Sequence, residues 1–189
     1  MSEKWPQRAQ AELQFNVAQL LKEVTGGTRN YEISAPIMGE FDEETVVVAP
    51  LEGHVKFLRT GPNVLVSGFL HTSFEKTCGR CLITYTTPVE IELEEEFYPL
   101  IDINTGNPVL QPEGSDSANQ IDAQNILSLA EVVRQELIVE NDSVLYCQPD
   151  CKGLCPICGQ DRNVGTCDCQ DDQIDARWAG LLAQRGQGD

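Results

Sequence analysis

Between Asn63 and Tyr98 the chain reads NVLVSGFLHTSFEKTCGRCLITYTTPVEIELEEEFY. β-Branched and aromatic residues dominate both halves, Asn63–Thr77 and Leu82–Tyr98. Such side chains favour the pleated backbone, where a branched Cβ costs little. The short break at Cys78-Gly79-Arg80-Cys81 predicts a hairpin tip between two long strands. Working outward, Gly61-Pro62-Asn63 marks a turn, and Val55–Leu58 and Thr45–Val48 read as earlier strands. From Glu44 to Leu100 the pattern therefore predicts an antiparallel sheet or barrel-like meander.

On the C-terminal side, Val89, Ile91 and Leu93 alternate with Glu90, Glu92 and Glu94. A period of two puts the three glutamates on one face of a strand. A solvated face is the plain reading, but like charges at this spacing repel, so a basic partner would relieve them.

The flanks add helices. Leu13, Phe15 and Val17 alternate before Leu20, Leu21 and Val24 take helical spacing, which predicts a short strand running into a helix that Gly26-Gly27 ends. Tyr31–Ile37 reads as another strand. Residues 102–123 are polar and carry Gly106, Pro108, Pro112 and Gly114, as a long loop or linker does. Asn125–Glu140 spaces Ile126, Leu129, Val132, Val133, Leu137 and Ile138 as an amphipathic helix, with Asp122 or Asn125 near its cap. Asp171–Arg185 has helical spacing again. The expected fold class is α+β: a β-rich domain over residues 1–100, an acidic loop or linker over 101–123, and over 124–189 a helix, a cysteine-rich zinc-binding segment and a C-terminal helix.

Composition limits the function. Among 189 residues, 30 acids oppose 13 bases, a formal charge of −17. That surplus disfavours a sequence-blind grip on phosphate backbone or an anionic bilayer, and favours basic partners. No uncharged apolar run reaches the roughly 18–20 residues of a membrane span. The opening Met-Ser-Glu-Lys-Trp-Pro-Gln-Arg lacks the basic-then-apolar order of a secretory signal, so a cytoplasmic protein is expected.

In a reducing compartment, clustered cysteines point to metal rather than disulfides. The eight are Cys78-x2-Cys81, Cys147-x3-Cys151-x3-Cys155-x2-Cys158 and Cys167-x-Cys169. Two thiolates at a tight turn converge on one ion while backbone N–H groups stabilise their charge. Cys155-Pro156-Ile157-Cys158-Gly159 carries the strongest such signal, with Gly159 where the turn needs a positive φ. Eight thiolates make two four-coordinate structural Zn2+ sites. The favoured grouping sets Cys78 and Cys81 with Cys147 and Cys151, and Cys155 and Cys158 with Cys167 and Cys169. A rival uses Cys151, Cys155, Cys158 and either Cys167 or Cys169 around a single ion, and an S4 iron site would use the same ligand type.

No phosphate loop, nucleophile elbow, His-Glu-x2-His or dinucleotide fingerprint occurs, and His54 and His71 are the only near-neutral acid–base groups. All-cysteine sites are usually closed, so an enzyme with a small-molecule substrate is not expected.

The string CQPDCKGLCPICGQDRNVGTCDC at Cys147–Cys169 resembles the C-terminal signature of the YceD family. Cys78-Gly79-Arg80-Cys81-Leu82 looks like that family's second hallmark, and Arg162 stands where a leucine is more usual. The resemblance implies a part in accumulating or processing 23S rRNA during large-subunit assembly. With the acidic composition, it leads to the expectation of a basic ribosomal protein or assembly factor as direct partner, rRNA being reached indirectly. The alternative is an RNA-binding zinc ribbon using Lys152, Arg162, Arg177 and Arg185.

Overall fold

The computed structural model describes residues 11–41, 45–112, 114–143 and 145–169. The helix expected over Asp171–Arg185, with Arg177 and Arg185, lies outside them. In chain order the elements are β1 (Gln14–Asn16), α1 (Ala18–Lys22), β2 (Thr28–Ala35), β3 (Gly39–Glu40), β4 (Thr45–Val47), β5 (Leu51–Thr60), β6 (Asn63–Thr77) and β7 (Thr84–Pro99). A 3-10 turn (Ser117–Asn119), β8 (Gln120–Ile121), β9 (Ile126–Ser128) and α2 (Ala130–Ser143) follow.

The strands form one curled sheet in the order β1-β9-β8-β7-β6-β4-β3, with β5 also beside β6 and β2 beside β5. Every pairing is antiparallel except the short parallel step from β7 to β8. The long β6–β7 ladder runs from Val64↔Phe97 to Thr77↔Thr84. It is the hairpin that the opening stretch predicts, with Cys78–Cys81 at its tip.

Burial alternates along β7: Val89, Ile91 and Leu93 lie in the core while Glu90, Glu92 and Glu94 are exposed. Phe57, Phe74 and Phe97 are fully buried on the same inner face. Against them α2 contributes Val132, Val133 and Leu137. An isolated helix of 14 residues is marginal in water, so this apolar stripe supplies most of its stability. Buried Thr45 donates to Asn141 Oδ1 at 3.0 Å, and Lys76 Nζ donates to the Asn141 carbonyl, tying the end of α2 to β4 and β6.

β5 and β6 approach each other closely midway along their antiparallel ladder. A Cβ on Gly68 would sit 2.2 Å from the His54 carbonyl, and one on Gly53 would sit 2.1 Å from that of Phe69. Only a residue without a Cβ allows this approach.

One expectation is corrected. The helix expected from Asn125 starts at Ala130, because Ile126–Ser128 is drawn into the ladder with β1 as Gln14↔Ser128, Phe15↔Leu127 and Asn16↔Ile126. Apolar residues at Ile126, Leu127 and Leu129 suit either period, and tertiary pairing decides between them. Asp122 and Asn125 consequently cap nothing. Asp122 Oδ1 accepts from the N–H groups of Gln124 and Ile126 at 2.8 Å, and Asn125 takes a left-handed φ of 61°. The polar stretch after Leu100, expected as a loop or linker, is built mostly of turns and ends in a short strand. Asp102 Oδ1 accepts from the N–H groups of Asn104 and Thr105, Ile101 bridges to Pro108, and β8 continues the sheet.

Candidate metal centre

The β6–β7 hairpin ends in a tight knuckle. Cys78 N–H donates to the Ile83 carbonyl and Leu82 N–H donates back to the Cys78 carbonyl, with Leu82 held at a left-handed φ of 59°. The segment after α2 folds onto this knuckle, as Gly79 N–H donates to the Leu145 carbonyl at 3.1 Å. Four sulfurs thereby meet. Cys78 Sγ lies 3.8 Å from Cys151 Sγ, and Cys81 Sγ lies 3.7 Å from Cys147 Sγ. All four fall within 4.8 Å of one another, and Cys78, Cys81 and Cys151 are buried.

Burial opposes ionisation of Cys78, yet the surrounding backbone N–H groups of Cys81, Cys147 and Arg80 bring its thiol down to about 6. The same burial, with hydrogen bonds to Cys81, Cys151 and Cys78, pushes the Cys147 thiol up to about 12. The quartet thus favours one early thiolate and resists further negative charge, as four crowded thiols must. A divalent cation removes that resistance.

The second quartet closes locally. Cys155, Cys158, Cys167 and Cys169 place their sulfurs within 4.8 Å of one another. Cys155 is buried and Cys158 exposed, so this group lies nearer solvent than the first. Gly159 N–H donates to the Cys155 carbonyl at 2.9 Å, and Gly159 has a φ of 74°, the positive value expected of it. N–H groups of Cys158 and Ile157 draw the Cys155 thiol down to about 6. Hydrogen bonding to Cys158, then burial, pushes the Cys169 thiol up to about 12.

Three residues beyond the cysteines join the quartets. Arg80 donates through Nη1 to the carbonyls of Cys151 (3.0 Å) and Pro149 (3.3 Å), and its guanidinium lies 3.9 Å from the centre of the Tyr146 ring. Gly153 passes so close that a Cβ would meet the Arg80 carbonyl at 2.9 Å. Asn163, in the loop of the second quartet, donates through Nδ2 to Cys151 Sγ at 3.4 Å and accepts Lys152 N–H at 2.8 Å. Asn163 is invisible to spacing arguments. Its only local sign is the preceding Asp161, whose Oδ1 takes the Asn163 N–H in an Asx turn.

The structure brings the eight cysteines together in the favoured fours, and the rival set around Cys151 is not assembled. Each four offers the ligand number and softness that a tetrahedral metal ion takes. The sequence profile described as Large ribosomal RNA subunit accumulation protein YceD matches residues 66–183, which span the β6–β7 hairpin and both quartets. The chain belongs to the YceD family. Membership ties this YceD protein to ribosome biogenesis and the accumulation of 23S rRNA. No curated protein and no solved structure matches it. Among the described residues of this YceD protein, no helix is long and apolar enough to cross a membrane.

Proposed function

We propose that this chain is a zinc-stapled assembly factor of the large ribosomal subunit, acting through a basic ribosomal protein or assembly factor. The observation that carries the reading is the pair of all-thiol quartets. Cys78, Cys81, Cys147 and Cys151 hold one structural Zn2+, and Cys155, Cys158, Cys167 and Cys169 hold the other. With four thiolates each, the sites leave no ligand position open for water, so the ions brace structure rather than activate a nucleophile. The first clips the hairpin tip to a segment more than 60 residues downstream, a long loop whose closure stabilises substantially.

Charge supports a protein partner. Each tetrathiolate ion carries −2, so loading both sites takes the formal charge from −17 to −21. Such a surface repels phosphate and attracts Lys- and Arg-rich proteins. The test is capture with the tagged, metal-loaded protein at low and high salt, the bound proteins being identified by mass spectrometry. A large-subunit protein or assembly factor released by salt supports the reading, and salt-independent capture contradicts it. Gel shifts on 23S rRNA fragments that are abolished by Lys152→Glu and Arg162→Glu would favour the RNA-binding zinc ribbon instead.

A further inference from the structure

β7 is paired along its length on one side only. β6 covers it from Thr84 to Phe97, whereas β8 meets its other side at Tyr98 and Pro99 alone. Between Thr86 and Glu94 that second side has no strand partner among the described residues.

The direction of the backbone groups there follows from three contacts. Cys78 N–H donates to the Ile83 carbonyl, so odd-numbered residues of this strand turn toward β6. The Ser73 carbonyl takes Val48 N–H, so Ser73 faces away from β7, and its register partner Pro88 faces away from β6. Asn119 Nδ2 donates to the outward carbonyl of Glu96 at 3.3 Å. Glu90, Glu92 and Glu94 share this parity. Each presents an outward N–H and C=O at the edge together with an exposed side chain.

Pro88 and charged side chains are the devices by which edge strands avoid indiscriminate pairing. A second copy added here, parallel or antiparallel, would set glutamate rows side by side, which like-charge repulsion opposes. A strand carrying Lys or Arg opposite the three glutamates meets no such penalty.

We propose that the open edge of β7 between Thr86 and Glu94 docks an extended Lys/Arg-rich segment of a protein partner, which adds as a strand with its basic side chains opposite Glu90, Glu92 and Glu94. The proposal rests on the basic-partner reading and supplies its site. Main-chain hydrogen bonds give the affinity, and the glutamates select the charge.

The test uses the full chain as purified and a synthetic peptide of about eight residues, a typical strand length, alternating Lys and Val. A counterpart methylated at every backbone nitrogen keeps the charge but cannot donate main-chain hydrogen bonds. The Lys–Val peptide is expected to slow amide exchange of Glu90, Glu92 and Glu94 and to bind at least about tenfold more tightly than its N-methylated counterpart. Glu92→Pro removes an outward N–H at a position equivalent to Pro88, and should weaken binding about tenfold beyond the matched-charge Glu92→Gln. Unprotected amides in the wild-type protein, or equal binding by the two variants, overturn the proposal. Equal, salt-sensitive binding of both peptides overturns it while leaving the basic-partner reading intact. Binding of neither peptide removes both. Self-association through β7, seen as protected amides without peptide at rising protein concentration, would assign the edge to a second copy instead.

Discussion

The carbonyl of Arg80 accepts the N–H of Leu154 at 3.1 Å, joining the knuckle of the first cysteine quartet to the residue that precedes the second. The Arg80 guanidinium reinforces the junction through the carbonyls of Cys151 and Pro149 and the face of Tyr146. Arg80→Ala should therefore lower stability by about 1–3 kcal/mol, the range for losing charge-assisted hydrogen bonds and a cation–π contact. Arg80→Lys should recover only part of this, because an ammonium lacks the planar fork. Denaturant unfolding of the metal-loaded proteins measures both.

Two glycines separate steric from conformational cost. Gly68→Ala drives a Cβ to 2.2 Å from the His54 carbonyl, a clash with backbone that only a shift of β5 relieves. The expected loss is about 3 kcal/mol or more, at the upper end of overpacking. Gly159→Ala meets nothing within 4 Å and pays only for its φ of 74°, about 1–2 kcal/mol. Thermal unfolding of the two variants should rank them in that order.

Metal binding should release protons. Shared hydrogen bonds and burial hold Cys81, Cys147, Cys167 and Cys169 above the ordinary thiol value, so each is protonated at neutral pH without metal. Each ion must then displace at least two of these protons, and affinity must fall as pH falls, because protons compete for the sulfurs. Calorimetric zinc titration in buffers of different ionisation heat counts the protons. Release of fewer than two per ion would contradict the thiol arrangement.

The acidic row on β7 should be a small liability to the fold. Across the ladder, Glu90 faces His71, Glu92 faces Phe69 and Glu94 faces Ser67, so on this side no Lys or Arg stands opposite them. Replacing all three by Gln should raise stability at low salt by up to about 1 kcal/mol and weaken capture of a basic partner. Melting temperatures at low and high salt test the first effect, which added salt should erase.

The long hairpin and the cysteine quartets were legible in the sequence because each is written locally. The burial of Val89, Ile91 and Leu93 follows from a period of two, and Gly159 follows from the geometry of its turn. The strands β8 and β9 were not legible. At two and three residues they are too short to show a period, and they exist because β1 and β7 offer ladder edges from far along the chain. The same holds for Asn163, whose contact with Cys151 Sγ depends on how the two knuckles stack. The close approach at Gly68 likewise appears only once β5 pairs with β6.

Metal analysis of freshly purified, reduced protein decides whether the two cysteine quartets hold ions. Two zinc ions per chain are expected, falling to one in Cys158→Ser, with Cys78, Cys81, Cys147 and Cys151 keeping theirs. Metal-free protein whose circular dichroism and melting temperature are unchanged by a strong chelator would contradict this expectation.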